Sequence, residues 1–216
     1  MSADFVAHME DVLDLYEEPF DEKRPTICFD ETSTQLIEET RKPIEAAPGR
    51  RERFDYEYKR NGTRNLFMMC EPQAGFRHVE VTERRTSRDF AQQMKWLAEE
   101  RYPDAACIRV VMDNLNTHKP ASLYETFEPQ VARRILKRLE FHYTPKHGSW
   151  LNMAEIELSV FSRQCLKRRI ATEPTLKREI KAVEDERNEA KAAIDWRFSA
   201  TDARVKLHRL YPSTTM

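Results

Sequence analysis

Two short β-rich runs, Thr26-Ile-Cys-Phe29 and Ile108-Arg-Val-Val-Met112, each stop on an aspartate, Asp30 and Asp113. Runs of this length and composition read as strands buried in a sheet. The two acids lie 83 positions apart and meet if their strands are parallel neighbours. Desolvated like charges raise one another's pKa, so such a pair is held by a proton or by a divalent cation between them. A third carboxylate, Glu155, follows 42 positions after Asp113, near the start of a helix. Three acids at a sheet end suit Mg²⁺ or Mn²⁺, and two ions about 3.5–4 Å apart organise in-line attack on a phosphodiester.

The rest of the chain reads as the scaffold for that sheet. Phe5, Met9, Val12, Leu13 and Tyr16 recur at helical spacing, which predicts an acidic amphipathic helix over 3–17 with a connector over 18–25. Residues 38–53, with Pro43, Pro48 and Gly49, read as a long polar loop. Phe54, Tyr56 and Tyr58 alternate, Asn61-Gly62 is a turn signal, and 66–70 with 76–81 form a hairpin across Gln73-Ala-Gly75. Thr86 or Ser87 caps a helix whose apolar face is Phe90, Met94, Leu97 and Ala98. Lys119-Pro120 opens another, running toward Leu139 with an interruption at Pro129. Phe141-His-Tyr143 reads as a short strand, and a helix then runs to about Arg169 with Leu151, Ala154, Leu158, Phe161 and Cys165 as its core stripe. Helical patterns continue through Leu176, Ile180, Val183, Ala190 and Ile194, then around Ala203, Leu207 and Leu210. Strand, hairpin, helix, strand, helix, strand, helix gives an α/β fold, a mixed five-stranded sheet with helices on both faces.

Composition removes several function classes. No stretch nears the roughly 20 apolar residues of a membrane span, and Met1-Ser-Ala-Asp-Phe5 lacks a signal-peptide pattern. Cys28, Cys70, Cys107 and Cys165 are widely spaced with no C-x-x-C pair, which favours a reduced, cytoplasmic setting. Cys28, Cys107 and Cys165 fall on apolar faces and read as small buried hydrophobes. Lys+Arg at 36 against Asp+Glu at 37 argues against gripping nucleic acid by bulk charge. The charge is uneven, however: residues 1–24 are acidic, and basic groups gather at Arg50–Arg64, Arg84–Arg88 and Lys167–Arg169, where they suit phosphate contacts or a solvated face.

Helical geometry alone does not choose between Glu155 and Glu157. Each lies roughly 80° from the centre of the apolar stripe, on opposite sides of it. Asn152-Met-Ala-Glu155 also has the spacing of a capping box, a purely structural use of that glutamate.

Cys28-Phe-Asp30-Glu-Thr, Val111-Met-Asp113-Asn114-Leu-Asn-Thr-His118 and Gly148-Ser-Trp-Leu-Asn152-Met-Ala-Glu155 resemble the three acidic motifs of DDE transposases in the mariner superfamily. Within it they most resemble the bacterial insertion-sequence branch, the six-thirty group, from about residue 4 to Tyr211. The resemblance implies a ribonuclease-H-like fold and metal-dependent cleavage at transposon ends, with strand transfer into target DNA at a TA dinucleotide. It maps the catalytic acids and metal ligands onto Asp30, Asp113 and Glu155, and so resolves the helix toward Glu155. The implied partners are double-stranded DNA, from transposon ends and target, and a second copy of the chain.

Members of that family carry N-terminal helix-turn-helix modules, whereas about 25 residues precede the first strand here. Residues 1–25 therefore resemble the linker helix and connector, 26–170 the catalytic core and 171–216 a C-terminal helical extension. On this reading the chain is a catalytic half, whether from a split reading frame with a helix-turn-helix half encoded upstream, a truncated copy or a fragment. The 41 residues between Asp113 and Glu155 exceed the family's usual spacing, an excess the helix and loop after Asp113 can house.

Asn114, His118, His147 and Asn152 are candidate DNA-contacting or supporting residues. For His118 the alternative is a local contact at the helix start, and for His147 a solvated loop position. Trp150 reads as packing beneath the helix that follows it. The competing expectation is non-enzymatic: a silent, truncated transposase, acting as a remnant or as a regulator that pairs with the full-length protein.

Overall fold

The computed structural model describes residues 3–212 apart from 42, 43, 45, 52, 54 and 55. Phe54 of the alternating run and Pro43 of the loop fall outside the described residues. In chain order the elements are α1 (Ala3–Glu17), β1 (Thr26–Glu39), β2 (Tyr58–Glu71), β3 (Phe76–Thr82), α2 (Ser87–Trp96), β4 (Ile108–Met112), α3 (Ala121–Thr126), α4 (Pro129–Leu136), β5 (Leu139–Tyr143), α5 (Ala154–Phe161), α6 (Glu173–Glu189) and α7 (Ala200–Lys206). The five strands form one sheet in the order β3-β2-β1-β4-β5. The β1–β2 and β2–β3 pairs are antiparallel, and the β1–β4 and β4–β5 pairs parallel.

Strand alternation divides the core into two layers. On one face Cys28, Leu66, Met68, Cys70 and Val111 meet the apolar stripes of α1, α5, α6 and α7. On the other, Ile27, Phe29, Phe67, Met69, Val110 and Met112 meet α2, α3 and α4. Both layers follow from the period of two along each strand.

Local chemistry sets the helix boundaries. The α1 residues Phe5, Met9, Val12, Leu13 and Tyr16 are all buried, as their spacing predicts. Thr86 caps α2 in a reciprocal box with Asp89. Pro129 takes the first turn of α4, where it needs no amide partner, and separates that helix from α3. Beyond α5 the helix continues as a wider π-helical turn over Ser162–Leu166 and stops just short of Arg169. Likewise α6 ends at Glu189, so Ile194 lies on an extended strap whose amide donates to the Pro72 carbonyl at 2.9 Å.

Two expectations need correction. The first strand does not end at Asp30: β1 runs to Glu39, paired with β2 through Glu39↔Tyr58, so much of the expected loop from Glu38 is a two-stranded arm. Asn61-Gly62 is not a turn but lies within β2, opposite a register shift between Gln35 and Ile37. The same positive φ that suits glycine to a tight turn, here +94° at Gly62, serves a bulge equally well.

Among the described residues no helix is long and apolar enough to cross a membrane.

The β2–β3 turn and the strap constrain each other. Gly75 has φ +67°, and a Cβ there would lie 2.5 Å from the Lys191 carbonyl carbon. Gly75→Ala is expected to lower unfolding free energy by roughly 1–3 kcal/mol, from backbone strain and steric displacement of the strap. Urea denaturation of the two proteins checks this; equal midpoints would contradict the packing described.

Candidate active site

Pairing between β1 and β4 ends at Cys28↔Val111. Asp30 and Asp113 each stand two residues further along, so both project to the face that carries α1 and α5. The sheet splits at this point: β1 continues with β2 as the arm, whereas β4 gives way to a loop that leads to α3. Asp30 is therefore a mid-strand residue at the mouth of a split, not the end of a strand.

The loop before α5 is fastened to that split. Asn152 Nδ2 donates to the Phe29 carbonyl at 2.8 Å and lies 3.4 Å from Asp30 Oδ2, while its Oδ1 accepts from the Ala154 amide at 3.1 Å. From the other side, Tyr16 Oη donates to the Leu151 carbonyl at 2.8 Å. Asn152 thus stands two residues before α5 and joins its first amide to β1, and the N-cap, Met153, makes no side-chain hydrogen bond of the capping-box kind.

The two glutamates of α5 have separate fates. Glu157 is fully buried, with Arg77 at 3.0 Å and Arg187 at 2.7 Å from its Oε1. Glu155 is exposed on the opposite side of the stripe. It stands close enough to Asp30 for its charge to act there: burial first, then Glu155, then Asp113 push the Asp30 carboxyl up to about 7, against the pull of the Glu31 amide. Three acids therefore approach one another, and the interaction is repulsive.

His118 is the positive charge of the site. Its ring is 1% exposed, with Nδ1 2.6 Å from Asp113 Oδ1 and Nε2 2.9 Å from Glu31 Oε2. Phe29 and Phe90 pack against it at centroid distances of 5.3 and 5.0 Å. Burial disfavours the charged ring, but the hydrogen bond to Asp113 and the contact with Glu31 outweigh it and push its pKa up to about 9. His118 thus touches the Asp113 carboxylate itself.

Beside Asp113 lies a cleft of about 490 Å³, lined by Asp4 and His8 of α1 together with Asn114, Lys146 and His147. Asn114 and His147 are both exposed there, and His147 holds a left-handed φ of +67°, a strained conformation for a residue with a side chain. Trp150 is 44% exposed and stacks on Trp196 and Phe198 of the strap, not beneath α5. Cys107 is only half-buried, its thiol 3.6 Å from Glu140 Oε2. Some of the basic side chains are paired: Arg64 meets Glu173 and Arg168 meets Glu179, both on α6, and Arg169 meets Glu39 at the end of β1.

Two features of the site escape sequence reasoning. Glu31 is one, although its adjacency to Asp30 puts it on the opposite sheet face, where an acid among apolar neighbours needs a partner. The other is the contribution of α1 to the cleft, which no local pattern announces.

Residues 25–177 match a family model described as DDE superfamily endonuclease. The chain belongs to the DDE superfamily of endonucleases. Solved structures with the same fold include the Mos1 transposase paired-end complex with left transposon end, at 14% identity and a TM-score of 0.59, covering 89% of this chain and 59% of that one. The Mos1 mariner paired end complex with Mn gives 14% identity and a TM-score of 0.56 over the same shares, 89% and 59%. The Mos1 strand transfer complex gives 15% and 0.53, over 95% of this chain and 57% of that one. The DDE chain thus spans about three fifths of the length of these structures and shares their ribonuclease-H-like sheet. A search of the curated proteins finds no match.

Two outcomes follow from the electrostatics. Glu157→Gln leaves Arg77 and Arg187 without their buried counter-charge and is expected to cost roughly 3–5 kcal/mol of stability, whereas Glu155→Gln costs little or none. In chelator, Asp30 and His118 both bind protons in the folded protein that the unfolded chain has released, Asp30 between about pH 4 and 7 and His118 between about 6.5 and 9. Stability therefore falls as pH rises across both windows. Asp30→Asn is expected to be more stable than the parent by roughly 1–3 kcal/mol at pH 8, a gain that shrinks toward pH 5. Urea unfolding at the two pH values checks both; a destabilised Asp30→Asn at pH 8 would contradict the repulsion inferred.

Proposed function

We propose that this DDE chain is the catalytic part of a transposase of the bacterial insertion-sequence type, which cuts DNA at transposon ends and joins them to target DNA. The observation that carries the reading is the approach of Asp30, Asp113 and Glu155 where β1 and β4 part: burial first, then the charges of Glu155 and Asp113, push the Asp30 carboxyl up to about 7. In this role Asp30, Asp113 and Glu155 are the catalytic acids.

The donor set fits a hard divalent cation. All three side chains offer oxygen only, Asp113 borders an open cleft, and their excess negative charge is what a cation relieves. Among the described residues no three His, Cys, Asp or Glu side chains are gathered tightly enough to hold an ion as they stand. Asp30, Asp113 and Glu155 would hold Mg²⁺ or Mn²⁺, as two ions on this reading, which when bound supply Lewis-acid activation of water and stabilise the leaving oxygen.

The chain's own residues do the remainder. Lys146, His147 and Asn114 contact the phosphates of the strand that runs past Asp113 through the cleft. Asn152 keeps the α5 loop against Asp30, so that Glu155 and Asp30 approach the same phosphate. A water oxygen attacks phosphorus in line and the 3′ oxygen leaves; the 3′-hydroxyl so formed then attacks a target phosphate in line, forming a new phosphodiester as the target strand's own 3′ oxygen leaves and takes up the proton. Residues 1–25 serve as the linker, 26–170 as the catalytic core and 171–216 as a helical extension. Two copies act together on paired ends.

Mn²⁺ titration followed by spin resonance tests the acid site without DNA. Binding is expected in the parent and lost in Asp30→Asn and Asp113→Asn; unchanged binding in both folded variants would refute it. With the inverted repeats flanking the gene as substrate, Asp113→Asn is expected to lower cleavage at least about 10³-fold, a contribution of the size one metal or electrostatic group makes. Equal cleavage by the variant would exclude the assignment, and absence of metal binding in the parent would favour a silent remnant.

A further inference from the structure

Glu31 is a buried acid that the assigned chemistry does not use. It follows Asp30 directly, but alternation turns it to the other face of the sheet, among Phe29, Phe90 and His118. Its side chain is 4% exposed. A carboxylate so placed costs several kcal/mol unless it is paired, and its near partner is the His118 ring. Arg85 stands off at 3.9 Å, and Glu31 Oε2 has no aligned hydrogen-bond donor even though His118 Nε2 is 2.9 Å away.

His118 in turn spends its other nitrogen on Asp113, at 2.6 Å. Asp113 lies beyond the end of β4 and is 38% exposed, so neither strand pairing nor packing fixes its carboxylate. The His118 ring, clamped edge-on to Phe29 and against Phe90, is the rigid element that reaches it. The three residues thus form a bridge from the next strand of the sheet, through the apolar layer under it, to an acid on the opposite face.

We propose that Glu31 is a positioning residue, which through His118 holds the Asp113 carboxylate in the orientation its metal ligation requires. This rests on the acid site proposed above. An acid and an imidazole in series behind a ligating oxygen act as outer-shell partners do, and loss of such a partner lowers metal affinity by roughly 10–100-fold. Glu31 does not touch metal or DNA in this arrangement; its effect passes entirely through one ring. Neutralising it is not expected to unfold the chain, since His118 retains Asp113 as its partner.

Mn²⁺ affinity, the spin-resonance spectrum of the bound ion and the melting temperature are to be measured on the parent, Glu31→Gln, His118→Gln, the double variant and Asp113→Asn. The expected result is Mn²⁺ binding roughly 10–100-fold weaker in Glu31→Gln with an altered spectrum and an unchanged fold, and no further loss when Glu31→Gln is added to His118→Gln. Affinity within about threefold of the parent in Glu31→Gln, with binding abolished in Asp113→Asn, would overturn the positioning role and leave the acid site standing. Additive losses in the double variant would show that Glu31 acts independently of His118 and would also overturn it. Parent-like binding in Asp113→Asn would instead overturn the acid site itself. Should Glu31→Gln not fold, Glu31→Asp, which keeps the charge but withdraws it from the ring, is held to the same criteria.

Discussion

The parallel pairing of β1 with β4 is the contact on which the rest depends. It covers only Thr26–Cys28 against Arg109–Val111, yet its register puts Asp30 and Asp113 at the same level and on the same face. A slip of one residue would send one acid to the other side of the sheet. The pairing is guarded at its entry by Arg109, buried between the strands' outer ends and α1, which donates to the Arg24 carbonyl and meets Glu18. At its exit the strands part, and the opening receives α5 through Asn152.

That arrangement gathers negative charge around a largely buried Asp30, and the surrounding structure absorbs the consequence unevenly. On the far face His118 brings a compensating charge to Asp113 and Glu31. On the near face no cation among the described residues is paired with Asp30, whose carboxyl is left at about 7. The neighbouring glutamate illustrates the alternative: Glu157, one helical step beyond Ile156, is neutralised by two arginines and belongs to the scaffold. Charge is thus compensated in the ion network beneath α5 and left uncompensated among the acids above it, the division expected of a site kept ready for a cation.

Much of this was legible in the residues. The α1 stripe, the Thr86 cap, the break at Pro129 and the two strands leading to the aspartates all follow from local periodicity and capping chemistry, and the structure has them where the pattern puts them. What local reasoning missed depends on partners far away in sequence. The outer half of β1 is polar, and only its pairing with β2 makes it a strand. Asn61-Gly62 offers a positive φ that a turn and a bulge use alike. Glu155 and Glu157 are symmetric about their stripe until Arg77 and Arg187 arrive from 80 and 30 residues away. Glu31 is invisible for the same reason, since its significance comes from a histidine delivered by the loop after another strand.

The central claim is that the charge gathered beside the β1–β4 split exists to hold a cation. Crystals of the full chain soaked in Mn²⁺ and measured at the manganese absorption edge test it most directly. The account predicts anomalous density bounded by the carboxylates of Asp30, Asp113 and Glu155. Manganese bound elsewhere on the molecule, with these three side chains unmoved and their shared space free of anomalous density, would contradict it.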